Sequence, residues 1–600
     1  MSSASTNQPR MRHVPALDGL RGLALLGVLF FHANGALPGG YLGVDLFFVL
    51  SGYLITSLLL AEQRDTGRIA LSAFWVRRAR RLFPALLSLM PAVAIYGRYL
   101  ARPDELRPLR MQALAALAYV ANWQSIFAHR SYWQLFSAPS PLEHTWSLSI
   151  EEQFYVVWPV LVAVLLRRFT RRALLGVSLA LSALSMGAMW HLFDAENTTR
   201  VYLGTDTRIA GILLGAALAT LLSPNHDFGA RAARALDGLG ALALCGLGVA
   251  WCTLRGTNPW LYHGGFWLTE CGALLLIACA IAGRKSLVAR LLAWRPFTLL
   301  GTISYGVYLW HWPVNVVLSP ERVHVRGLAL HTLHFAVTFA IAIVSYRLLE
   351  RPIRRHGVPF AQPLLIVPAA VAAAVLLIVR ATYAREVPAQ VLQLPPPPAP
   401  EAVRFRIMLF GDSTANSLGW ALRGLAEKGL DVQNMGKDGC TLLGNSCEGP
   451  HWVDRVREQH PNVSLVYLGG AFLHGFHLKG DWQTACRPAW DRRFEEELTV
   501  RLRDLQGEAG EVFTATIPYA LVHWESAEFN AQIDCVNRSI RKSAAALPGV
   551  QLLDVGARLC PHGVCEQDVG AKEPIRPDGM HFSIDGAHGL ARWVYEEIRR

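Results

Sequence analysis

Long apolar runs broken by short, arginine-bearing polar stretches fill residues 1–380, and the pattern then stops. A helix that crosses a bilayer takes about 20 predominantly apolar residues. Runs of that kind lie near 17–36, 43–61, 82–100, 150–167, 173–191, 204–222, 236–254, 264–282, 297–318, 329–349 and 362–380. They predict about ten spans and one further span that links to the C-terminal third of the chain. Residues 109–123 are apolar but short, which predicts a buried or interfacial helix. Beyond residue 401 the apolar runs shrink to 404–410, 463–468, 511–517 and 550–554, with helical periodicity over 415–428 and 491–506. Strands alternating with helices predict a parallel sheet covered on both faces. Leu394-Pro395-Pro396-Pro397-Pro398-Ala399-Pro400 separates the two regimes as a stiff linker. The expected organisation is a multi-pass helical membrane domain over 1–360, a linking helix and Pro-rich linker over 361–400, and a soluble α/β domain over 401–600.

Charge adds an orientation. The net charge is +12, with 52% of residues hydrophobic and 17% charged. On a soluble chain such a balance would point to nucleic acid. Here the arginines crowd the breaks between apolar runs, at Arg64 and Arg68, Arg77 to Arg81, Arg167 to Arg172, Arg231 and Arg234, and Arg351 to Arg355. The intervening breaks 37–42, 192–203 and 255–263 are poor in Lys and Arg. That asymmetry is the positive-inside pattern, so the lipid bilayer is the expected partner and nucleic acid is not. It predicts a cytoplasmic N-terminus, and an odd number of spans then puts 401–600 on the far side. The first apolar run follows no signal-peptide core or cleavage site, so it is expected to stay as a span.

The ten cysteines agree with that side. Cys245, Cys252, Cys271 and Cys279 lie in apolar runs and read as packing. Cys440, Cys447, Cys486, Cys535, Cys560 and Cys565 all fall after the linker, and an even set there predicts disulfides in an oxidising compartment. Short loops favour Cys440–Cys447 and Cys560–Cys565, leaving Cys486–Cys535. No Cys-X-X-Cys occurs, so no metal site is expected.

Ionisable side chains inside spans are costly and therefore candidates for function. Arg21 and His32 share the first run. At 1.5 Å per residue they stand roughly 16 Å apart along the axis, Arg21 toward the cytoplasm and His32 toward the other face. Asp45 opens the next run after a Pro-Gly-Gly turn and is expected near His32, where a carboxylate would orient the imidazole. Arg77, Arg78, Arg80 and Arg81 form a cationic cluster that suits either topology anchoring or a bidentate grip on phosphate.

Taken in order, these motifs resemble the acyltransferase 3 family of membrane O-acyltransferases. The resemblance rests on Arg21-X10-His32, the stretch from Gly40 to Thr56, and Arg78-X-X-Arg81. It continues through His144-Thr145-Trp146-Ser147 to Glu151-Glu152-Gln153-Phe154-Tyr155, then Ser304 to His311, then Tyr346 to Ile353, and so covers roughly 13–356. It implies acetyl-CoA as donor substrate on the cytoplasmic side, with no tightly bound cofactor. Arg78 and Arg81 would face the donor phosphates, and His32 would be the acyl-accepting or base residue. Arg21, Asp45, Glu151 and Glu152 would complete the substrate-binding side.

After the linker, Phe410-Gly411-Asp412-Ser413 ends a strand and opens a helix, and Asp578-Gly579-Met580-His581 closes the domain. Ser413 at a helix N-terminus has backbone N–H groups to stabilise an oxyanion, His581 could take its proton, and Asp578 could hold the ring. This layout resembles the SGNH (GDSL-like) hydrolases. Asp585-Gly586-Ala587-His588 repeats the spacing, but Ser583 after His581 fits the family block better. The family's oxyanion glycine would be Gly439, with Gly436 in reserve. Its oxyanion Asn is absent, because the strand end reads Tyr467-Leu468-Gly469-Gly470-Ala471-Phe472.

Together the two halves imply an inner-membrane O-acetyltransferase with a periplasmic SGNH-like domain. Its acceptor would be an extracytoplasmic polysaccharide, O-antigen lipopolysaccharide first, although peptidoglycan, capsule or a secreted glycan would also suit. A carbohydrate deacetylase on a passive anchor, or a transporter with a sensory domain, is the alternative. The number of spans and their buried charges exceed what an anchor needs, and no inverted repeat stands out.

Overall fold

The computed structural model describes residues 13–600, apart from 34–35, 102, 129–139, 195–197, 225, 227, 257, 284–285, 324, 326, 357–362, 384–402, 438–439, 441, 445–448, 474–475, 479–480, 509, 522–526, 566–573, 577–578 and 585. The chain divides into two units, Met1–Val387 and Pro388–Arg600.

The first unit is helical. Among the described residues, eight helices are long and apolar enough to cross a membrane: Pro15–His32, Gly40–Thr66, Leu71–Tyr99, Thr145–Arg168, Arg171–His191, Arg231–Thr253, Leu261–Ala282 and Gly327–Arg354. Arg295–Val317 is a further long helix, and Ala210–Leu221 and Val367–Tyr383 are shorter apolar ones. Each of the eleven apolar runs thus contains a helix.

Two runs differ in detail. The third helix begins at Leu71, so the whole Arg77 to Arg81 cluster is helical. The run 204–222 is broken into Thr199–Leu203, Thr205–Arg208 and Ala210–Leu221. The break comes where the Thr207 hydroxyl donates to the carbonyls of Val201 and Gly204, drawing backbone acceptors out of the helical ladder. The short run 109–123 becomes Pro103–Leu117 and Ala121–Phe127.

The helices Pro15–His32 and Arg295–Val317 lie in direct backbone contact. A Cβ on Gly301 would stand 1.8 Å from the carbonyl oxygen of Asp18, and one on Gly22 would stand 2.2 Å from that of Phe297. Only glycine lets two helices approach so closely, and inside a bilayer such packing replaces the hydrophobic drive that lipid removes. This contact aligns His32 with the far half of Arg295–Val317.

Asp45 departs from expectation. It is fully buried and pairs with Arg208 at 2.6 Å. The Arg208 guanidinium also lies over the rings of Phe266 at 4.1 Å and Tyr202 at 5.0 Å. The nearer demand on Asp45 is therefore a buried cation that sequence spacing did not reveal, and the carboxylate is spent there instead of on His32.

The second unit carries a five-stranded parallel sheet in the order β2-β1-β3-β6-β7, where β1 is Phe405–Gly411, β2 Leu430–Gly436, β3 Val463–Tyr467, β6 Glu511–Ala515 and β7 Val550–Leu553. A small antiparallel pair, β4 (Phe476–Leu478) and β5 (Asp481–Gln483), stands apart from it. Alternate residues of β1 feed opposite layers, as a strand buried on both faces requires. Ile407 and Leu409 pack with the helices Ser413–Arg423 and His588–Ile598, and Met408 and Phe410 with Pro488–Gln506 and Ala527–Ala545. The sequence pattern missed β2 because it is an edge strand whose outer half, Gln433 and Asn434, is polar.

Cys486–Cys535 and Cys560–Cys565 are disulfides. Cys440 is also disulfide-bonded, and its expected partner Cys447 lies outside the described residues.

Gly22→Val should separate the two glycine-packed helices, because its side chain has only carbonyl oxygen to enter. The expected outcome is loss of the monodisperse peak in detergent size-exclusion chromatography. Leu23→Val, one residue along on the same helix, should leave that peak in place.

Candidate active sites

In the soluble unit the sheet delivers the nucleophile. β1 runs out at Gly411, whose φ of 141° turns the chain sharply, and Asp412 caps the helix Ser413–Arg423. Asp412 accepts from Thr414 N at 2.9 Å with Oδ1 and from Gly470 N at 2.7 Å with Oδ2. The Thr414 hydroxyl donates to Asp412 and accepts from Gly469 N at 2.9 Å. The nucleophile turn is thus tied to the segment after β3, and Ser413 stands at the helix's first position.

His581 Nε2 lies 2.8 Å from Ser413 Oγ. The loop that carries it is fixed on both sides. Phe582 N donates to Ser417 Oγ at 3.0 Å, on the nucleophile's own helix. Before it, Gly579 has φ +87°, with the space a Cβ would need taken by the Leu521 carbonyl 1.9 Å away. The buried Arg576 donates to the Tyr519 carbonyl at 2.8 Å. His588 is exposed at the start of the last helix, so of the two repeated spacings His581 is the one beside Ser413. Asp578 and Gly439 lie outside the described residues, as does Asp585.

The reserve glycine, Gly436, has its N–H donated to Asn434 Oδ1 at 3.2 Å. The amides of Gly469 and Gly470 are likewise engaged by Thr414 and Asp412. Where the family's Asn is missing, the strand end therefore supplies structure rather than anion stabilisation. Burial pushes the Tyr467 phenol above its ordinary range and keeps it protonated beneath the site. A cavity of about 430 Å³ adjoins the end of β1, lined in part by Gly411, Lys437, His451, Trp452 and Arg455.

In the helical unit a cavity of about 410 Å³ gathers Arg21, Arg78, Arg81, Glu151, Tyr155 and Tyr308 on its wall, with Ser304 and Arg354. Arg21 Nε donates to Ser304 Oγ at 3.4 Å. Glu151 accepts from Ser51 Oγ at 3.0 Å and from the Tyr155 hydroxyl at 3.3 Å. The Arg78 guanidinium lies over the rings of Phe74 and Tyr155, 5.5 and 5.8 Å from their centroids. Glu152 is half-buried on the same helix as Glu151 and is not on this wall.

His32 is half-buried at the end of its helix and is not on the wall either. Its neighbour is His311, with Nε2 3.3 Å from His32 Nδ1. Tyr308 joins the two places. Its ring lines the cavity, its hydroxyl lies 2.6 Å from Ser147 Oγ, and its carbonyl lies 2.5 Å from His311 Nδ1. Sequence reasoning quoted Ser304, Tyr308 and His311 within motifs but gave them no roles. Their signal was polar side chains recurring on one apolar run.

Residues 14–379 match the family model described as "Acyltransferase domain", that of acyltransferase 3, and residues 393–595 match the SGNH domain described as fused to such domains. The chain belongs to the acyltransferase 3 family. It is 38% identical over 355 residues to O-acetyltransferase OatA of Staphylococcus aureus (strain NCTC 8325 / PS 47), a match that spans 58% of each chain. OatA of strain COL matches to the same extent. A lipase/acylhydrolase from Enterococcus faecalis is similar to the soluble unit at 20% identity, covering 32% of this chain and 95% of that one with a TM-score of 0.24, too slight a likeness to add to the sheet order.

Asp412 holds the nucleophile turn through two buried backbone donors. Asp412→Ala should cost about 1–3 kcal/mol for each N–H left unpaired. The expected result is a lower urea midpoint for the soluble unit at an unchanged slope, together with slower labelling of Ser413 by an activated ester.

Proposed function

We propose that the protein moves acetyl groups from cytoplasmic acetyl-CoA to hydroxyls of an extracytoplasmic polysaccharide. The observation that carries this reading is that one chain holds two sites of different chemistry. One is a cavity walled by arginines in the helical unit, and the other is a Ser413–His581 pair in the soluble unit. Guanidinium groups grip phosphate oxygens bidentately, so Arg21, Arg78, Arg81 and Arg354 suit the phosphates of CoA. No tightly bound cofactor is needed, because the activated acyl group arrives on the donor.

On this reading His32 is the acyl-accepting or base group on the donor side, and Ser413 is the terminal nucleophile. Ser413 Oγ bonds to the acyl carbon while its proton passes to His581 Nε2, and the bond from that carbon to its previous carrier breaks as His581 gives the proton to the departing group. The sugar hydroxyl then attacks the acyl carbon and gives its proton to the now neutral His581, and the bond to Ser413 Oγ breaks as His581 passes that proton to Ser413. Asp578 would orient His581. The oxyanion would be met at the first turn of the Ser413–Arg423 helix, with Gly439 as the second donor. Asp45 serves the bundle through Arg208 rather than the substrate.

The arginine asymmetry along the chain and the oxidised cysteines of the soluble unit support a cytoplasmic N-terminus, an inner-membrane location and a periplasmic soluble domain. O-antigen lipopolysaccharide is the acceptor proposed first.

The test is the fate of the acyl group in full-length variants. Arg78→Ala with Arg81→Ala should weaken acetyl-CoA binding at least tenfold, about 1.4 kcal/mol, while the protein remains inserted. His32→Ala should leave Ser413 unacylated, and Ser413→Ala should retain donor binding but yield no O-acetyl signal on the glycan by NMR. Normal glycan acetylation in Ser413→Ala would show that the helical unit acts alone. A reporter fused after Arg600 should behave as exported.

A further inference from the structure

We propose that His311 is the positioning residue that selects the reacting nitrogen of His32. The inference rests on the reading of His32 as the donor-side group.

A backbone carbonyl can only accept, so each carbonyl within reach of an imidazole nitrogen marks that nitrogen as protonated. Val28 O lies 2.9 Å from His32 Nδ1. Tyr308 O lies 2.5 Å from His311 Nδ1, and Leu309 O lies 3.0 Å from His144 Nε2. Together these bonds put the proton of His311 on Nδ1 and leave a lone pair on its Nε2. That lone pair faces His32 Nδ1 at 3.3 Å. The His32 Nδ1–H is therefore shared between the Val28 carbonyl and His311 Nε2, and both interactions require the same tautomer. His32 Nε2 is left with the lone pair, and it is the nitrogen that can react.

The surroundings hold this arrangement rigidly. The His32 ring packs 4.7 Å from Trp312 and 5.0 Å from Phe31, and the buried His144 ring stands 5.5 Å behind His311. When His32 Nε2 takes a proton, or bonds to the acyl carbon as its carbon–sulfur bond breaks and the CoA thiolate leaves, the ring becomes a cation with its other proton still on Nδ1. No electron pair is then left on His32, and the lone pair of His311 Nε2 is a ready acceptor for the proton that carries the charge. A carbonyl alone would supply the first of these two bonds and not the second.

The experiment compares two amide substitutions in the full-length protein, with acetyl-CoA turnover as the readout. Glutamine in place of His311 can donate to the Tyr308 carbonyl or reach His32 with an acceptor oxygen at about the position of Nε2. Asparagine keeps a donor for the Tyr308 carbonyl but is too short to reach His32. His311→Asn should lower kcat about 100-fold with KM for acetyl-CoA unchanged, because the Val28 carbonyl still holds the tautomer but the cationic His32 ring loses its proton acceptor, which costs rate and not binding. His311→Gln should recover to within about tenfold of the native rate.

A His311→Asn variant with native kcat overturns the inference, and so does a His311→Gln variant as slow as His311→Asn. A fall in kcat matched by a rise in KM and a lowered melting temperature in both variants also overturns it, since that pattern is structural. The reading beneath the inference fails separately: it is lost if His32→Ala turns over acetyl-CoA normally, whatever the His311 variants do.

Discussion

An ionisable or polar side chain inside a bilayer-spanning bundle has no water to fall back on, so its partner must come from the chain itself. That constraint arranges the helical unit. Arg208 is met by Asp45 and by the faces of Phe266 and Tyr202. His32, His144 and His311 are met by carbonyls of Val28, Leu309 and Tyr308. Two of these are local, from the preceding turn of the same helix, which lets an imidazole sit in an apolar helix without breaking its ladder. The glycine contacts between Pro15–His32 and Arg295–Val317 hold together the two helices that carry His32 and His311.

The soluble unit meets the same need in a different medium. A strand that ends in a sharp turn leaves amides exposed at its tip and at the tips of its neighbours. Asp412 and Thr414 take up those of Gly469 and Gly470, which fixes the turn but removes them from oxyanion duty. A site built this way is well positioned and sparsely provided with anion donors. That suits a nucleophile whose acyl group arrives already activated better than one that must open unactivated esters unaided.

Much of this was legible in the sequence, for reasons that can be named. Apolar length marks spans because lipid tolerates nothing else, and every one of the eleven runs is occupied by a helix. Ser413 and His581 were legible because a strand–turn–helix and a late Asp-X-X-His constrain local sequence. Asp45 misled, since proximity along the chain suggested His32 while the fold offered Arg208, 163 residues away. His311 was visible only as part of a motif, because what gives it a role is a contact with a residue 279 positions earlier. The strand β2 escaped because only Leu430 to Val432 are buried and its remaining residues are half-buried and largely polar, which leaves too short an apolar run to read as a strand.

The arginine cavity carries the last step. Arg21, Arg78, Arg81 and Arg354 share its wall with two carboxylates, Glu151 and Asp18, the latter 2.7 Å from His13 Nε2. Glu151 is already occupied by Ser51 and Tyr155, and Arg78 rests on aromatic faces in place of an anion. Like charges gathered where the dielectric is low repel one another strongly, so packing alone would not favour such a wall. Anchoring to the bilayer surface would be served as well by arginines spread around the helix ends, each facing headgroups. Under the proposed function, their convergence on one cavity that also reaches Tyr308 and, through it, His311 suits a polyanion that enters beside them with its reactive end toward the histidines. The phosphates and thioester of acetyl-CoA have that polarity.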